Sequence, residues 1–357
     1  MDQNTGHTNL KPGTQPIPIV AIGGSAGGQQ AMSELLSHVP PSTGLAYVYI
    51  QHLSPGYNSQ LDIILSAKTS MLVLKAAHLM PVQTDEVYVI PPGADMEVVD
   101  GVLVLIPRKL GSKIHRPIDQ FFKSLAERQK VGAIGIVLSG MASDGTLGLK
   151  AIKMAGGITI AQDESAAFKS MPQSAVSEGV VDMVLSPKEI ALELVRLSKR
   201  ANTLGLIAEA AESDEEDTAD EDLKQILLFV KSSVGVDFTQ YKKSTIRRRI
   251  IRRMLLYKLE ALGDYLSYVK QHAMEANTLY ADLLINVTSF FRDPPVMDHL
   301  KQQILPQIIS IKFPSEPVRI WVAGCSTGQK HIRWPLSSLN CSVKRLSVCP
   351  SRFLPLI

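Results

Sequence analysis

The sequence predicts an α/β domain with a mostly parallel sheet over residues 16–200, followed by a small all-α domain. In the first part, short runs rich in Val and Ile alternate with segments of helical period, which is typical of βαβ units. A dense acidic run then interrupts this pattern, and beyond residue 222 the helical period continues with few strand signals. Because like charges repel one another and stay solvated, the acidic run predicts a boundary between domains.

Short apolar runs predict the strands of the first domain, in the order Ile17–Ile22, Leu45–Ile50, Val87–Ile90, Val102–Ile106, Ile134–Leu138 and Gly157–Ala161. Segments with a period near 3.6 predict its helices, namely Gln29–His38, Ile118–Gln129, Leu147–Ala155 and the closing helix Leu185–Lys199. Turn residues separate Val87–Ile90 from Val98–Ile106, and Asp100-Gly101 lies within the second segment. This arrangement predicts a local antiparallel pair rather than two parallel strands.

The remaining segments of the chain are interpreted mainly from their composition. Residues 1–15 are polar and contain Gly and Pro, so they predict a disordered tail, and residues 201–222 predict an acidic linker. Residues 223–290 predict the helical domain, within which residues 242–253 are strongly basic. A strand predicted at Val318–Ala323 leads into a second glycine-containing loop, whereas residues 329–357 show no regular period and support no domain assignment.

The overall composition excludes several classes of protein. A length of 357 residues with 45% hydrophobic residues suits about two packed domains. The net charge of +3 argues neither for nor against a nucleic-acid partner. Three cysteines near the C-terminus are too few for a disulfide framework and lack zinc-site spacing, so we expect a reducing cytoplasm and no metal. No signal-peptide core and no run of about 18 apolar residues is found, so no membrane insertion is expected.

The first predicted strand ends in a glycine-rich turn that contains a serine. Gly23, Ser25 and Gly27 have the Gly-x-Ser-x-Gly spacing of a nucleophile elbow, in which glycines permit a sharp turn and close approach of a substrate. Such turns also bind phosphate groups, and the spacing alone favours phosphate binding over a nucleophile. The dinucleotide fingerprint is not matched, however, because Ser25 occupies its second glycine position, and a Walker A sequence is absent.

Polar residues follow three predicted strands. Ser25, His52 and Asp144 each come after a strand, and the carboxyl ends of parallel strands line the ligand crevice of such sheets. If the strands are neighbours, a hydroxyl, an imidazole and a carboxylate can meet, as in an activated serine. Individually, His52 is typical of a half-buried histidine, and Asp144 could cap a helix beginning near Thr146. Because all three residues follow predicted strands, the catalytic interpretation and the structural interpretations are about equally supported.

These residues lie in motifs that resemble those of the CheB-type protein-glutamate methylesterases of chemotaxis. The similar segments are Ile22–Gly28, Gln51-His52, Arg116–Asp119, Ser139–Gly145 and Ala161–Pro172. The resemblance implies a doubly wound α/β esterase domain that hydrolyses γ-glutamyl methyl esters on chemoreceptors and releases methanol, with glutamine deamidation as a related activity. It implies no cofactor for this esterase.

The same resemblance assigns roles within the motifs. Ser25 would be the nucleophile, His52 the base, Asp144 the residue that orients the base, and the backbone around Met141 the oxyanion site. The family often has Thr after the nucleophile, where this chain has Ala26, so a hydroxyl is lost there. Only a short segment precedes residue 16, so we expect no fused receiver domain and no regulation through one.

The second half resembles the CheR-type chemotaxis receptor methyltransferases, through residues 241–254, Asn286–Pro294 and Ile320–Gly328. This implies a small helical domain and, over residues 291–328, the start of a Rossmann-like domain that binds S-adenosylmethionine. By motif, the residues nearest that cofactor would be Asn286, Thr288, Arg292, Gly324 and Gly328. The receptor-facing residues would be Arg248, Arg249, Arg252 and Arg253. The alternatives for these arginines are a solvated charged face and nucleic-acid binding, which lacks support because no aromatic residues are interleaved.

This second resemblance breaks off within the cofactor domain. The family continues with a pair of glutamates where this chain has Gln329-Lys330, and no later strand with an acidic ribose ligand follows. The sequence therefore predicts a truncated, inactive methyltransferase portion fused to an esterase. Two functions remain: a cytoplasmic serine esterase acting on methylated chemoreceptors, or a non-catalytic receptor-binding or scaffold remnant of an esterase–methyltransferase fusion.

Overall fold

The structure is a computed structural model that describes residues 17–52, 59–108, 115–129, 132–210, 220–284, 299–304 and 307. The chain divides into two compact units, Met1–Leu283 and Leu284–Ile357. In the second unit, the described residues include a single turn of π-helix, Leu300–Ile304. The predicted strand Val318–Ala323 lies outside the described residues.

A seven-stranded sheet forms the centre of the first unit, and all of its neighbouring strands are parallel. Its strands are β1 (Ile19–Gly24), β2 (Ala46–Gln51), β3 (Leu72–Lys75), β5 (Glu86–Val89), β8 (Ile134–Val137), β9 (Ile158–Gln162) and β10 (Met183–Leu185). The spatial order is β10-β9-β8-β1-β2-β5-β3. The chain thus departs to either side of β1, which confirms the predicted doubly wound α/β class.

Helices cover both faces of this sheet. They are α1 (Gly28–His38), α2 (Leu61–Ser66), α3 (Pro117–Gln129), α4 (Thr146–Ala155), α5 (Ser170–Ser177) and α6 (Pro187–Ala210). Alternate residues of β1 enter opposite cores: Val20 and Ile22 pack with α1 and α6, whereas Ile19 and Ala21 pack with α3. Burial on both faces explains why the strand is apolar throughout instead of alternating with polar residues.

A small antiparallel sheet replaces the predicted pairing around residue 90. It contains β4 (Met80–Pro81), β6 (Ala94–Val99) and β7 (Val102–Pro107), in the order β4-β7-β6. Asp100 and Gly101 join β6 to β7 with φ values of 50° and 78°, as a tight hairpin turn requires. The prediction that Val87–Ile90 belongs to this antiparallel pair was wrong, because β5 lies in the parallel sheet between β2 and β3.

The helical region contains α7 (Asp220–Val234), α8 (Lys243–Tyr257), α9 (Leu262–Gln271) and α10 (Ala273–Leu283). These helices share a core of their own around Phe238, Ile250 and Tyr265, which confirms the predicted all-α class. Part of the segment predicted as an acidic linker is helical. Helix α6 continues to Ala210, so residues 201–210 are helical, and residues 211–219 lie outside the described part of the chain.

The arginines of α8 do not form an exposed face. Arg249 donates hydrogen bonds to the carbonyl oxygens of Lys153, at 2.9 Å, and Met154, close to the C-terminus of α4. Arg252 donates to the carbonyl oxygen of Gly157 at 2.9 Å and pairs with Asp182 and Asp282. The expectation of a receptor-facing or solvated arginine surface is therefore corrected: these side chains are occupied within the chain.

The other two arginines predicted to face the receptor, Arg248 and Arg253, are also bonded within the chain. Arg253 is buried and pairs with Glu275 and Asp282, whereas Arg248 is half-buried and bonds a carbonyl oxygen of its own helix. Ile251 and Leu255 of the same helix join the core of the α/β domain. Helix α8 therefore packs against the α/β domain through both apolar and charged side chains.

Candidate active site

The candidate catalytic residues follow three adjacent strands. β1 pairs with β2 on one side and with β8 on the other, so the carboxyl ends of all three strands lie side by side. Ser25 directly follows β1, His52 directly follows β2, and Asp144 lies in the loop between β8 and α4. This is the topological switch point of the sheet, where ligands bind in doubly wound folds.

His52 and Asp144 are hydrogen-bonded to each other. His52 Nε2 lies 2.8 Å from Asp144 Oδ2, and the side chains are 28% and 4% exposed, respectively. The carboxylate also accepts hydrogen bonds from the backbone N–H groups of Ile118 at 3.0 Å, Asp119 at 2.9 Å and Gly145 at 3.0 Å. Because two of these donors belong to the first turn of α3, the positive end of that helix stabilises the buried charge.

The hydrogen bonds of Asp144 also contradict the alternative interpretation, in which this residue caps the helix that begins at Thr146. The residue that caps α4 is Gly145, and no side-chain cap bond is made there. Asp144 instead satisfies the orphan amides of α3, whose first residue, Pro117, lacks an N–H of its own. The capping residue and the capped helix lie apart in sequence, so spacing could not have revealed this contact.

Ser25 lies in the turn between β1 and α1 and is half-buried. Its N–H donates to the carbonyl oxygen of Ser139 at 3.0 Å, and its own carbonyl oxygen accepts from Gly28 at 2.9 Å. No hydrogen bond joins Ser25 Oγ to another described residue. The backbone is thus fixed while the hydroxyl is left available for a reaction partner.

The glycines of this turn are required by close contacts. Gly27 has a φ of 74°, and a Cβ at this position would lie 2.6 Å from Ser139 Oγ. A Cβ at Gly24 or Gly28 would lie 2.7 or 2.9 Å from the hydroxyl of Tyr49. Tyr49 is fully buried beneath the turn, its hydroxyl lacks a hydrogen-bond partner among the described residues, and burial raises its pKa far above the usual value.

We expect Gly27→Ala to lower the free energy of unfolding by about 2–4 kcal/mol, since left-handed backbone and a steric clash both add cost. Gly179→Ala is the matched control, because Gly179 has a φ of 66° but no described atom within 4 Å of a new Cβ. That control should lose only about 1 kcal/mol. Urea unfolding of the two variants measures the difference, and equal losses would contradict the predicted clash.

Backbone N–H groups near Ser25 are available to bind an oxyanion. Those of Ala26, Gly27 and Met141 have no acceptor among the described residues, whereas that of Gly140 donates to the carbonyl oxygen of Phe168 at 2.9 Å. Met141 also has a side chain that is 57% exposed, next to a residue of positive φ, Ala142. Free amides beside a serine can stabilise the negative charge that develops during attack on a carbonyl.

Sequence reasoning assigned no role to two neighbours of this site, although Asp119 lies in one of the family-like segments. The ring of His115 lies 6.1 Å from that of His52, and its Nε2 is 2.5 Å from Asp95 Oδ1, contacts that its position in the sequence does not predict. Asp119 is buried behind Asp144. Burial raises the pKa of Asp119, as does the charge of Asp144, against the lowering effect of a hydrogen bond from Gly148.

The predicted cofactor residues cannot be placed in the same way. Asn286, Thr288, Arg292, Gly324 and Gly328 all lie outside the described residues. Within the part of the chain that is described, no cluster of three or more His, Cys, Asp or Glu side chains is arranged to hold a metal ion. None of the described helices has both the length and the apolar character needed to cross a membrane.

Comparison with known proteins finds similar sequences among curated bacterial proteins. Curated relatives include an uncharacterized 104.1 kDa protein in the hypE 3' region of Rhodobacter capsulatus, 33% identical over 285 residues, which cover 75% of this chain and 30% of that protein. Protein-glutamate methylesterase FrzG of Myxococcus xanthus is 35% identical, over 51% of this chain and 55% of its own. A protein-glutamate methylesterase/protein-glutamine glutaminase of Desulfitobacterium hafniense is 30% identical, over 52% and 49%.

The chain thus spans less than two thirds of the length of these relatives. A solved structure, the CheB methylesterase catalytic domain of Thermotoga maritima, is 30% identical and covers 50% of this chain and 98% of its own, with a TM-score of 0.47. Residues 20–194 match the family described as CheB methylesterase. Residues 221–284 match the all-alpha domain of CheR methyltransferase, and residues 286–332 match its SAM binding domain. The chain therefore belongs to the CheB methylesterase family through residues 20–194, and continues with the all-alpha domain and part of the SAM-binding domain of the CheR methyltransferases.

Proposed function

We propose that the chain is a serine-type hydrolase that removes methyl esters from glutamate side chains of chemoreceptors and releases methanol. The observation that carries the proposal is the 2.8 Å hydrogen bond between His52 and Asp144, at strand ends adjacent to that of Ser25. The names of the relatives, protein-glutamate methylesterase among them, support the same substrate class. The low cysteine content suits a cytoplasmic compartment.

In the first half-reaction, Ser25 Oγ attacks the ester carbonyl carbon while His52 accepts the hydroxyl proton. Since Nε2 of His52 bonds Asp144, the other ring nitrogen, Nδ1, would take this proton. The carboxylate of Asp144 holds the ring and stabilises the imidazolium that forms. The free amides of Ala26 and Met141 would bind the oxyanion, after which the carbon–oxygen bond to the methoxy group breaks and His52 protonates it to methanol.

In the second half-reaction, water replaces methanol. His52 removes a proton from the water, which attacks the acyl carbon, and the bond to Ser25 breaks as His52 returns the proton to Oγ. The products are the free glutamate side chain and the original serine. Glutamine deamidation would follow the same course with ammonia as leaving group, and relatives named protein-glutamine glutaminase support this second activity.

The direct test uses a chemoreceptor labelled in its methyl esters and measures methanol released by the purified chain. We expect methanol to form in proportion to the amount of chain, above the spontaneous release from receptor alone. A heat-denatured sample of the chain is the control for ester hydrolysis by contaminating base. Binding to the receptor without methanol release would instead support the alternative, a non-catalytic receptor-binding or scaffold protein.

For the second half of the chain, we propose that no methyl transfer takes place. S-adenosylmethionine is the methyl donor that a CheR-type domain uses, and the match to its SAM-binding domain ends at residue 332. Gln329 and Lys330 also stand where the family pattern has glutamates. Incubation of the chain with receptor and methyl-labelled S-adenosylmethionine should leave the receptor unlabelled, and receptor labelling above background would overturn this expectation.

A further inference from the structure

Ser139 lies just after β8, which ends at Val137, and it takes part in four hydrogen bonds with other segments. It is 1% exposed. Its carbonyl oxygen accepts from Ser25 N at 3.0 Å, and its hydroxyl donates to the carbonyl oxygen of Ala26 at 2.8 Å. The hydroxyl also accepts from Phe168 N at 2.9 Å, and its own N–H donates to Gln162 Oε1 at 2.9 Å. One buried residue thus connects the turn of the nucleophile to the segment after β9.

Two of these bonds control the peptide groups around the nucleophile. The bond from Ser25 N fixes the peptide that enters Ser25, and the bond to the Ala26 carbonyl fixes the peptide that follows Ala26. Between them, the carbonyl oxygen of Ser25 is held by Gly28 N at 2.9 Å. Because a peptide group is planar, fixing each carbonyl oxygen also fixes the direction of the N–H on its other side. Ser139 therefore restrains the turn on both sides of the Ser25–Ala26 peptide, and its hydroxyl fixes the direction of the Gly27 N–H.

We propose that Ser139 is a positioning residue for the hydrolase reaction, which holds Ser25 and the adjacent amides in register with the pair of His52 and Asp144. The inference rests on the proposed function, and Ser139 itself would not touch the substrate. Removing its hydroxyl leaves the Ala26 carbonyl and the Phe168 N–H without that partner, so the turn relaxes. Loss of alignment acts on the reacting atoms more than on substrate binding.

The kinetic test compares Ser139→Ala with the native chain in methanol release. We expect kcat to fall about 10–100-fold while KM stays within about twofold, which is the signature of lost alignment rather than lost binding. Ser139→Thr retains a hydroxyl and should recover most of the rate. A Ser139→Ala variant with unchanged kcat, or a fall that appears only in KM, would overturn the proposal.

Thr159→Val is the control for a purely structural effect. Thr159 is also buried, and its hydroxyl oxygen lies 2.8 Å from the carbonyl oxygen of Val180 and 2.9 Å from Asp182 Oδ2, either of which can accept its proton. It lies near the start of β9, whereas the nucleophile turn lies beyond the carboxyl ends of the strands. This variant should lose stability but keep kcat. An equal fall of kcat in both variants would show that any buried hydroxyl has this effect, and would contradict a positioning role.

A fluorophosphonate probe separates this inference from the proposed substrate. Ser25 Oγ attacks the phosphorus, fluoride leaves, and His52 takes the serine proton, so no receptor is needed. If the native chain labels at Ser25 but releases no methanol, the ester substrate is wrong and the labelling rate decides the role of Ser139. A roughly 10–100-fold slower labelling of Ser139→Ala supports that role, and an equal rate overturns it. Absence of both labelling and methanol release would contradict both proposals.

Discussion

Ser25→Ala should lower kcat for methanol release by at least about 10³-fold, because the acyl intermediate cannot form without the nucleophile. The loss should come from chemistry alone. Ser25 Oγ has no hydrogen-bond partner among the described residues, so its removal should change the free energy of unfolding by less than about 0.5 kcal/mol. Steady-state methanol release and urea unfolding of the same preparation measure the two effects separately.

Ser37→Ala is the matched control for this substitution. Ser37 lies on the same helix that follows the nucleophile turn, but it is exposed and its hydroxyl donates to the carbonyl oxygen of Glu34 at 2.7 Å. Its replacement should leave the rate unchanged. If Ser25→Ala releases methanol at the native rate, the chain does not use a serine nucleophile, and direct attack by a water activated at His52 becomes the better account.

The candidate site could be located from the sequence because parallel α/β sheets bind their ligands at the carboxyl ends of the strands. Polar residues directly after apolar runs, such as Ser25 and His52, must lie at the carboxyl edge of a parallel sheet. The rule does not give the order of the strands. That β1 lies between β2 and β8 is decided by packing of the crossover helices, and it is this order that allows Asp144 to reach His52.

Contacts between distant segments explain what the sequence could not predict. Arg252 and Asp182 are 70 residues apart, so the spacing of the arginines along α8 revealed their common helix but not their partners. A run of arginines by itself is typical of a solvated face, and only the contacts with distant residues show that these side chains are bonded within the chain. Likewise, Val87–Ile90 has the same apolar character in a parallel or an antiparallel sheet, and only its neighbours β2 and β3 decide between them.

The position of Arg252 leads to the largest expected effect on stability. Its guanidinium is 1% exposed and pairs with two buried carboxylates, those of Asp182 and Asp282. Arg252→Ala would leave both carboxylates without this partner, and breaking a buried ion pair from one side costs about 3–5 kcal/mol. We therefore expect the free energy of unfolding to fall by that amount in urea. Arg248→Ala is the control, because within the described part of the chain Arg248 Nε donates a single bond, to the carbonyl oxygen of Ser244 at 3.2 Å.

The pH dependence of stability gives this prediction a second, independent readout. Burial alone raises the pKa of Asp182, but the charges of Arg252 and Lys153 outweigh it and hold the pKa below its usual value. A lowered pKa in the folded state means that the ionised carboxylate contributes stability above the pKa of the unfolded chain, about 4. This contribution is lost as the pH falls through the folded-state pKa. The native chain should therefore lose stability in acid below about pH 4 more steeply than Arg252→Ala, in which the partner charge is gone. Parallel acid profiles of the two chains would contradict the assigned role of Arg252, whereas Arg248→Ala should follow the native profile.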